Sequence, residues 1–412
     1  MNDLEVQYRG ELVGRAVAQR DRDEFAFEYA TDWLTRDDAF PISANLPLQE
    51  QRWEASRAHA FFANLLPEGG AREAVCDRLG FSKDNDVALL TALGGETAGA
   101  LQFSPVQSDG LAPRDGRDIT HAELEEWPAG APAIPRDARR APRLSLAGAQ
   151  HKVTVRLSES GYALPSSDDA STHILKFVSA DFPHLTANEY LTTEFASELG
   201  LPVVQVYLDD RTEPPILVVE RYDRQRSGDS VSRLHQEDLC QALGYLPSRK
   251  YESEGGPGVS DLAELIRRMS SRPAADVLAL VRWTLFCAIS GNADGHAKNL
   301  SILYTRSGAE LAPHYDLVCT RAYPNLHPYL AFGIGGERDP DRILMGNWEK
   351  FARDVGVRAR LVTRELERLL ADAEPAFERA CERLGEQVGD SHAVQHVGPV
   401  VKKRVRAIRT HL

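Results

Sequence analysis

Residues 3 to 30 alternate apolar and polar side chains around the turn signal Arg9-Gly10 and carry the alternation through FAFEYA. A period of two predicts an antiparallel meander here. FFANLLPEG and AREAVCDRLG then switch to helical spacing closed by glycine, and the glycines of DVALLTALGGETAGALQF break a helix before a last strand. Residues 1–105 therefore read as one module. Between 106 and 143 the chain is rich in Pro, Ala and Gly, offers only the short helical pattern ITHAELEEW, and ends in the basic run RDARRAPR, which reads as a linker. From 144 strands return as HKVTVRL, YALP and THILKFV. LTANEYLTTEFASELG has helical spacing, and VVQVYL and ILVVERYD are β-branched runs parted by DDRTEPP. From 234 the pattern is almost wholly helical. The predicted class is α+β: a β-rich lobe at 144–223 and a helical lobe at 224–412, joined near ERYDR, with an additional N-terminal α/β subdomain.

At 412 residues the chain exceeds one ordinary core and implies two or three packed units. A net charge of −13, from 48 basic and 61 acidic residues, disfavours autonomous binding to nucleic acid phosphate. Cys76, Cys240, Cys287, Cys319 and Cys381 are odd in number and form no C-x-x-C pair, which suits reduced thiols and a cytosolic compartment. MNDLEVQYRGELVG has neither the basic nor the apolar region of a signal peptide. The most apolar run, VLALVRWTLFCAIS at 277–290, is broken by Arg282 and falls short of the roughly 20 residues a bilayer span needs, so it predicts a buried helix and no membrane partner.

The sharpest chemical signal is GNADGHAKNLSILY at 291–304 followed by ELAPHYDLV at 310–318. Protein kinases place the aspartate that receives the acceptor hydroxyl proton five positions before an Mg²⁺-binding asparagine, and a second metal-binding aspartate follows on the next hairpin. Asp294, Asn299 and Asp316 reproduce that order, with LSILY and ELAPHY as the hairpin arms. Two oxygen donors suit a hard cation that keeps some of its waters, and an inward Lys298 would neutralise a transferring phosphoryl group. Asp and Asn also cap ordinary turns, so D-x-x-x-x-N has a purely structural reading too. Lys176 interrupts the apolar strand THILKFV where a kinase keeps its phosphate-binding lysine, with Glu189 and Glu194 on the next helix competing as its partner; a lysine reaching out to water is the alternative. LSLAGAQHK at 144–152 offers backbone N–H groups and Lys152 to phosphates, but with one glycine where the usual kinase loop has three it is weak as a phosphate motif, and its spacing favours an ordinary hairpin turn. KKRVRAIR at 402–409 reads as a solvated helix face before it reads as a nucleic-acid patch.

Taken in order, LSLAGAQHK, THILKF, NEYLTTEFASELGLPV, ERYDR, RLHQEDLCQALG, GNADGHAKNLS and PHYDLV resemble the motifs of the HipA toxin kinases, and FFANLLPEG and LGGETAGALQF resemble that family's N-terminal subdomain. The resemblance spans most of the chain and implies a protein kinase-like two-lobed fold. It also implies a serine/threonine kinase of a toxin–antitoxin pair, using ATP and Mg²⁺ and held by a HipB-like helix-turn-helix antitoxin, through which alone it would meet DNA. Known members phosphorylate aminoacyl-tRNA synthetases. By this resemblance Asp294 is the base with Lys298 beside it, Asn299 and Asp316 hold Mg²⁺, and ATP meets Ser145, Gly148, Ala149, Gln150, Lys152, Lys176, Glu220, Tyr222, Asp223 and His296. Ser145 occupies the autophosphorylation position, close in sequence to Arg139, Arg140 and Arg143, which would capture the new phosphate. His151 departs from the acidic residue many members carry. Rival readings are a small-molecule kinase of the same fold and a catalytically inactive antitoxin-binding co-repressor.

Overall fold

The computed structural model describes residues 3–19, 22–106, 116–127, 150–158, 161–166, 169–178, 181–228, 230–389 and 392–412. The chain forms two compact units, and neither is a single stretch: Met1–Phe177 with Glu220–Pro247, and Val178–Val219 with Ser248–Leu412.

The first unit opens with β1 (Leu4–Tyr8), β2 (Glu11–Gln19) and β3 (Glu24–Tyr29), the antiparallel meander that the alternation predicts. Arg9 and Gly10 both take positive φ, 52° and 81°, as the tight turn between β1 and β2 requires. The single turn α1 (Thr31–Leu34) precedes α2 (Ala55–Ala63), α3 (Gly69–Leu79) and α4 (Asp86–Leu93). β4 (Leu101–Pro105) then returns to pair with β1, giving the sheet order β3-β2-β1-β4. Helices and sheet meet through Phe25, Phe27, Phe62 and Phe103, all buried, with Phe62 centred 5.2 Å from Phe25 and 6.1 Å from Phe103. Burying such side chains supplies roughly 1.5–3 kcal/mol each.

Still in this unit, β5 (Arg117–Asp118), α5 (His121–Glu126), β6 (Lys152–Ser158), β7 (Gly161–Leu164) and β8 (His173–Lys176) follow, the strands lying in the order β5-β7-β6-β8. α5 is the ITHAELEEW helix, started by a reciprocal cap between Thr120 and Glu123. With β5 it falls inside the stretch read as linker, of which 107–115 and 128–143 lie outside the described residues.

The chain next contributes α6 (Leu185–Glu198), β9 (Val206–Asp209) and the antiparallel partner of β9, β10 (Ile216–Glu220), to the second unit. It returns to the first for the hairpin β11 (Arg224–Ser227) and β12 (Ser230–Arg233), then β13 (Gln236–Asp238) and α7 (Leu239–Leu243). The remainder is the helical body of the second unit: α8 (Val259–Met269), α9 (Pro273–Ser290), the hairpin β14 (Ser301–Thr305) and β15 (Gly308–Leu311), α10 (Met345–Asp354), α11 (Ala359–Val388) and α12 (His392–His411). A β-rich N-terminal region and a helical C-terminal region thus agree with the α+β expectation.

α9 contains the apolar run at 277–290. Length and mean hydropathy, 1.4, would let it cross a membrane, but 67% of it is buried inside the protein. Its Arg282 meets Glu365 of α11 at 2.9 Å, and Phe286 packs against Phe195 of α6. α9 is therefore the central core helix of this unit.

Candidate active site

The segment that carries Asp294 is shaped by local rules. α9 stops at Gly291, whose φ of 77° is the left-handed conformation that ends helices. Asn292 Oδ1 accepts from the Asp294 N–H at 3.1 Å, and the Ala293 N–H donates to Thr320 Oγ1 at 2.8 Å, so the turn is pinned on both sides of the aspartate. At Gly295 any side chain would stand 2.8 Å from Cys287 Sγ and 3.2 Å from the Trp283 ring, which reserves the position for glycine. Asp294 is the exposed residue of this otherwise buried loop. Its Oδ1 accepts from the Tyr251 hydroxyl and lies 3.9 Å from His296 Nε2.

A single 3₁₀ turn, Ala297–Asn299, then delivers Asn299. Its Oδ1 accepts from the His296 N–H at 3.3 Å, and its Nδ2 donates to Asp316 Oδ2 at 2.9 Å. β14 and β15 are the expected hairpin, with Ile302 opposite Leu311, and this return brings Asp316 back beside Asn299. Asp316 takes a φ of 58°, a conformation Asp tolerates better than most residues. Tyr315 locks the turn by donating to the Lys298 carbonyl at 2.7 Å, and Lys298 itself is buried. Asn188 of α6 grips the backbone N–H and C=O of Cys319 at 2.9 and 3.1 Å, fixing the chain just after Asp316.

In the first unit, Lys152 and Lys176 are direct register partners on β6 and β8. Directly opposed residues share one face of a sheet with Cβ atoms about 5 Å apart, and like charges so placed disfavour pairing. The neighbouring Gln150 Nε2 donates to the Phe177 carbonyl at 2.9 Å, and the Phe177 N–H donates to the His151 carbonyl at 3.1 Å. Burial lowers the His151 pKa, keeping its ring neutral near pH 7. Ser145, Gly148 and Ala149, with Arg139, Arg140 and Arg143, lie outside the described residues.

Glu220 is exposed, while the Tyr222 hydroxyl donates to Gln236. Asp223 is buried and accepts from Arg221 Nε and Nη2 at 2.9 and 2.8 Å and from the Gly99 N–H at 2.7 Å. It belongs to a cluster absent from the sequence reading. Glu96, fully buried, accepts from Ser171 Oγ at 2.6 Å, Arg221 at 3.1 Å, Arg224 at 2.9 Å and Arg233 at 2.6 Å. Burial raises its pKa, but Arg233, Arg224 and Arg221 together outweigh this and hold it down to about 2. A carboxylate set inside the glycine-rich LGGETAGAL was the signal available for it.

Of the two α6 glutamates, Glu189 is buried. Glu194 Oε2 instead accepts from Arg383 of α11 at 2.6 Å.

Among the described residues no group of three or more His, Cys, Asp or Glu side chains is arranged to hold a metal, which argues against a zinc-like cage. Mg²⁺ asks for less, one or two protein oxygens with the rest from phosphate and water, and the Asp316 carboxylate meets that requirement, with the Asn299 amide beside it donating from Nδ2 to Asp316 Oδ2.

Residues 4–104 match the family profile of the HipA N-terminal domain, and residues 144–377 match that of the HipA-like C-terminal domain. The chain is 40% identical to Y4mE of Sinorhizobium fredii over 98% of each protein. It is 33% identical to the serine/threonine-protein kinase toxin HipA of Shewanella oneidensis over 89% of this chain and 86% of that one. A solved structure of the Shewanella oneidensis HipA, HipB and operator DNA complex superposes with a TM-score of 0.85 at 30% identity, covering 99% of this chain and 97% of the other.

Proposed function

The chain belongs to the HipA family of kinase toxins, and from that premise we propose that it is an active, cytoplasmic serine/threonine protein kinase that uses ATP with Mg²⁺. The observation that carries the reading is the Asn299–Asp316 contact, five residues beyond an exposed Asp294 on the same loop. Asp294 accepts the proton of the acceptor hydroxyl, and the Tyr251 hydroxyl and His296 orient its carboxylate. Asn299 and Asp316 hold the cation, which supplies charge neutralisation for the phosphates. Lys152 and Lys176 bind phosphate oxygens from their shared sheet face, and Lys298 balances charge as it builds on the transferring group. Gln150, Gly148, Ala149, Glu220, Tyr222 and His296 complete the nucleotide contacts, whereas the buried Asp223 carboxylate is taken up by Arg221, Arg224 and the Gly99 N–H and holds the chain beside them.

Ser145 is the proposed autophosphorylation site, and a translation component such as an aminoacyl-tRNA synthetase is the proposed substrate. The solved relative is in complex with HipB and operator DNA. By that likeness the partner proposed here is a HipB-like antitoxin, with DNA reached only through it. Incubation with labelled ATP and Mg²⁺ tests the chemistry. Wild type should label Ser145 and lose roughly 10²–10⁴-fold in rate as Asp294→Asn, the span of general-base contributions. Undiminished transfer by that variant would remove Asp294 from its role.

A further inference from the structure

The basic run KKRVRAIR does not behave as one face. Lys402, Lys403, Arg406 and Arg409 are exposed, whereas Arg404 is completely buried. It stands on the inward stripe of α12 among Val397, Val401, Val405 and Ile408, beyond residue 377 where the family profile ends.

What Arg404 touches is the root of the catalytic loop. The last carbonyls of a helix lack partners within it. In α9 the Cys287 carbonyl is taken by the Gly291 and Asn292 N–H groups, and the Ala288 carbonyl accepts from Arg404 Nε at 3.0 Å. Arg404 Nη2 donates to the Pro340 carbonyl at 2.6 Å, and Nη1 meets Asp341. Asp341 Oδ2 in turn accepts from Arg321 Nη2 at 3.1 Å. The Arg321 N–H donates to the Gly291 carbonyl at 3.1 Å, and Thr320, next to it, holds the Ala293 N–H through its hydroxyl. Val400 of α12 sits against Gly291 itself, its Cγ1 only 2.8 Å from where a Cβ would stand. Two routes of contact therefore run from α12 to the residues immediately before Asp294.

We propose that Arg404 and Thr320 are positioning residues: Arg404 caps α9 and braces Asp341 and Arg321, Thr320 anchors Ala293, and together they fix where Asp294 meets the acceptor hydroxyl. This rests on the reading of Asp294 as the base. A planar guanidinium with donors in a fixed fork serves three acceptors at once, which a lysine ammonium on a flexible stem does not reproduce. A displacement of about 1 Å in a reacting group costs on the order of 10²-fold in rate, so loss of either anchor should appear in kcat while nucleotide binding is spared.

The test uses the full chain. Thr320→Val, which keeps the side-chain shape, and Arg404→Lys are compared with wild type, with Asp294→Asn and with the exposed control Lys402→Gln. Steady-state phosphoryl transfer and hydrogen exchange of the 291–299 segment are both measured. Expected is a roughly 10- to 100-fold fall in kcat with KM for MgATP within about twofold, and faster exchange at 291–299 in the two anchor variants only. Exchange no faster than in Lys402→Gln overturns the bracing, whatever the activity. Faster exchange with unchanged kcat overturns its catalytic role. Full activity in Asp294→Asn sinks the base assignment and the catalytic half of the proposal with it, and leaves the exchange result to decide the bracing. Should Arg404→Lys fail to fold, Asp341→Asn, which weakens the charged link between Arg404 and Arg321, is read in its place by the same two measurements, and Thr320→Val decides the Ala293 anchor.

Discussion

Glu96→Gln should be among the most destabilising single changes in the first unit. Wild type sets two buried carboxylates, Glu96 and Asp223, against the guanidiniums of Arg221, Arg224 and Arg233, a net of one positive charge. The amide leaves one carboxylate against three guanidiniums, a net of two, and points an NH₂ donor into a nest of donors. Breaking a buried ion network from one side costs about 3–5 kcal/mol. The carboxyl pKa, held down to about 2 from an ordinary 4.5 by the three guanidiniums, agrees in direction with a stabilisation of that order, about 3 kcal/mol. At roughly 2–4 °C per kcal/mol for a body of this size, the melting temperature should drop by about 6–20 °C. Calorimetry on the full chain at pH 7 reads this directly. Arg233→Met is the internal comparison, since it leaves two carboxylates facing two guanidiniums and should cost clearly less. Because the folded pKa is depressed, the stabilisation is complete above pH 4.5 and is lost as pH falls through 4.5 towards 2, so wild type and Glu96→Gln should converge in acid. A shift under about 2 °C, or Arg233→Met as damaging as Glu96→Gln, would refute the charge accounting.

His235 is buried with Nε2 2.9 Å from the Ile42 carbonyl, and burial, only partly opposed by that hydrogen bond, takes its pKa down to about 4. A depressed folded pKa means stability is whole above pH 6.5 and is lost as pH falls from 6.5 to 4, by about 3 kcal/mol in full. In urea titrations His235→Gln should flatten the stability profile between pH 7 and 4.5, and an unchanged slope would contradict the assignment. Glu194 pairs at the surface with Arg383 of α11, so Glu194→Gln should cost under about 1 kcal/mol and leave phosphoryl transfer within about twofold of wild type. A larger loss in initial-rate assays would give that pair a part in the chemistry.

The parts of this fold that were legible in sequence are those set by local periodicity. β1 to β3 follow from alternation, α9 from an apolar run closed by glycine, and the β14–β15 hairpin from two strand patterns around a turn. The pairing of Asn299 with Asp316 was readable because that hairpin is short enough to fix its ends. The Glu96 cluster was not readable, since its members come from α4–β4, β8 and β11–β12 regions with no repeating interval between them. The excursion of the chain into the second unit between Phe177 and Glu220 is equally silent in any local window. Arg404 differs: it falls on the same stripe as Val397, Val401 and Ile408, so its burial was written in the spacing and was masked by the basic residues around it.

The chain's return to its first unit at Glu220 also sets an order of events during synthesis. A ribosome that has just added Phe177 has produced Glu96 but none of Arg221, Arg224 or Arg233. Translation at about 5–20 residues per second needs roughly 2–8 s to cross the 178–219 insertion, and for that interval the nascent carboxylate has no counter-ions to close upon. The N-terminal body therefore cannot finish folding before residues 178–219 have been made, and a message truncated within that insertion would yield an incomplete body.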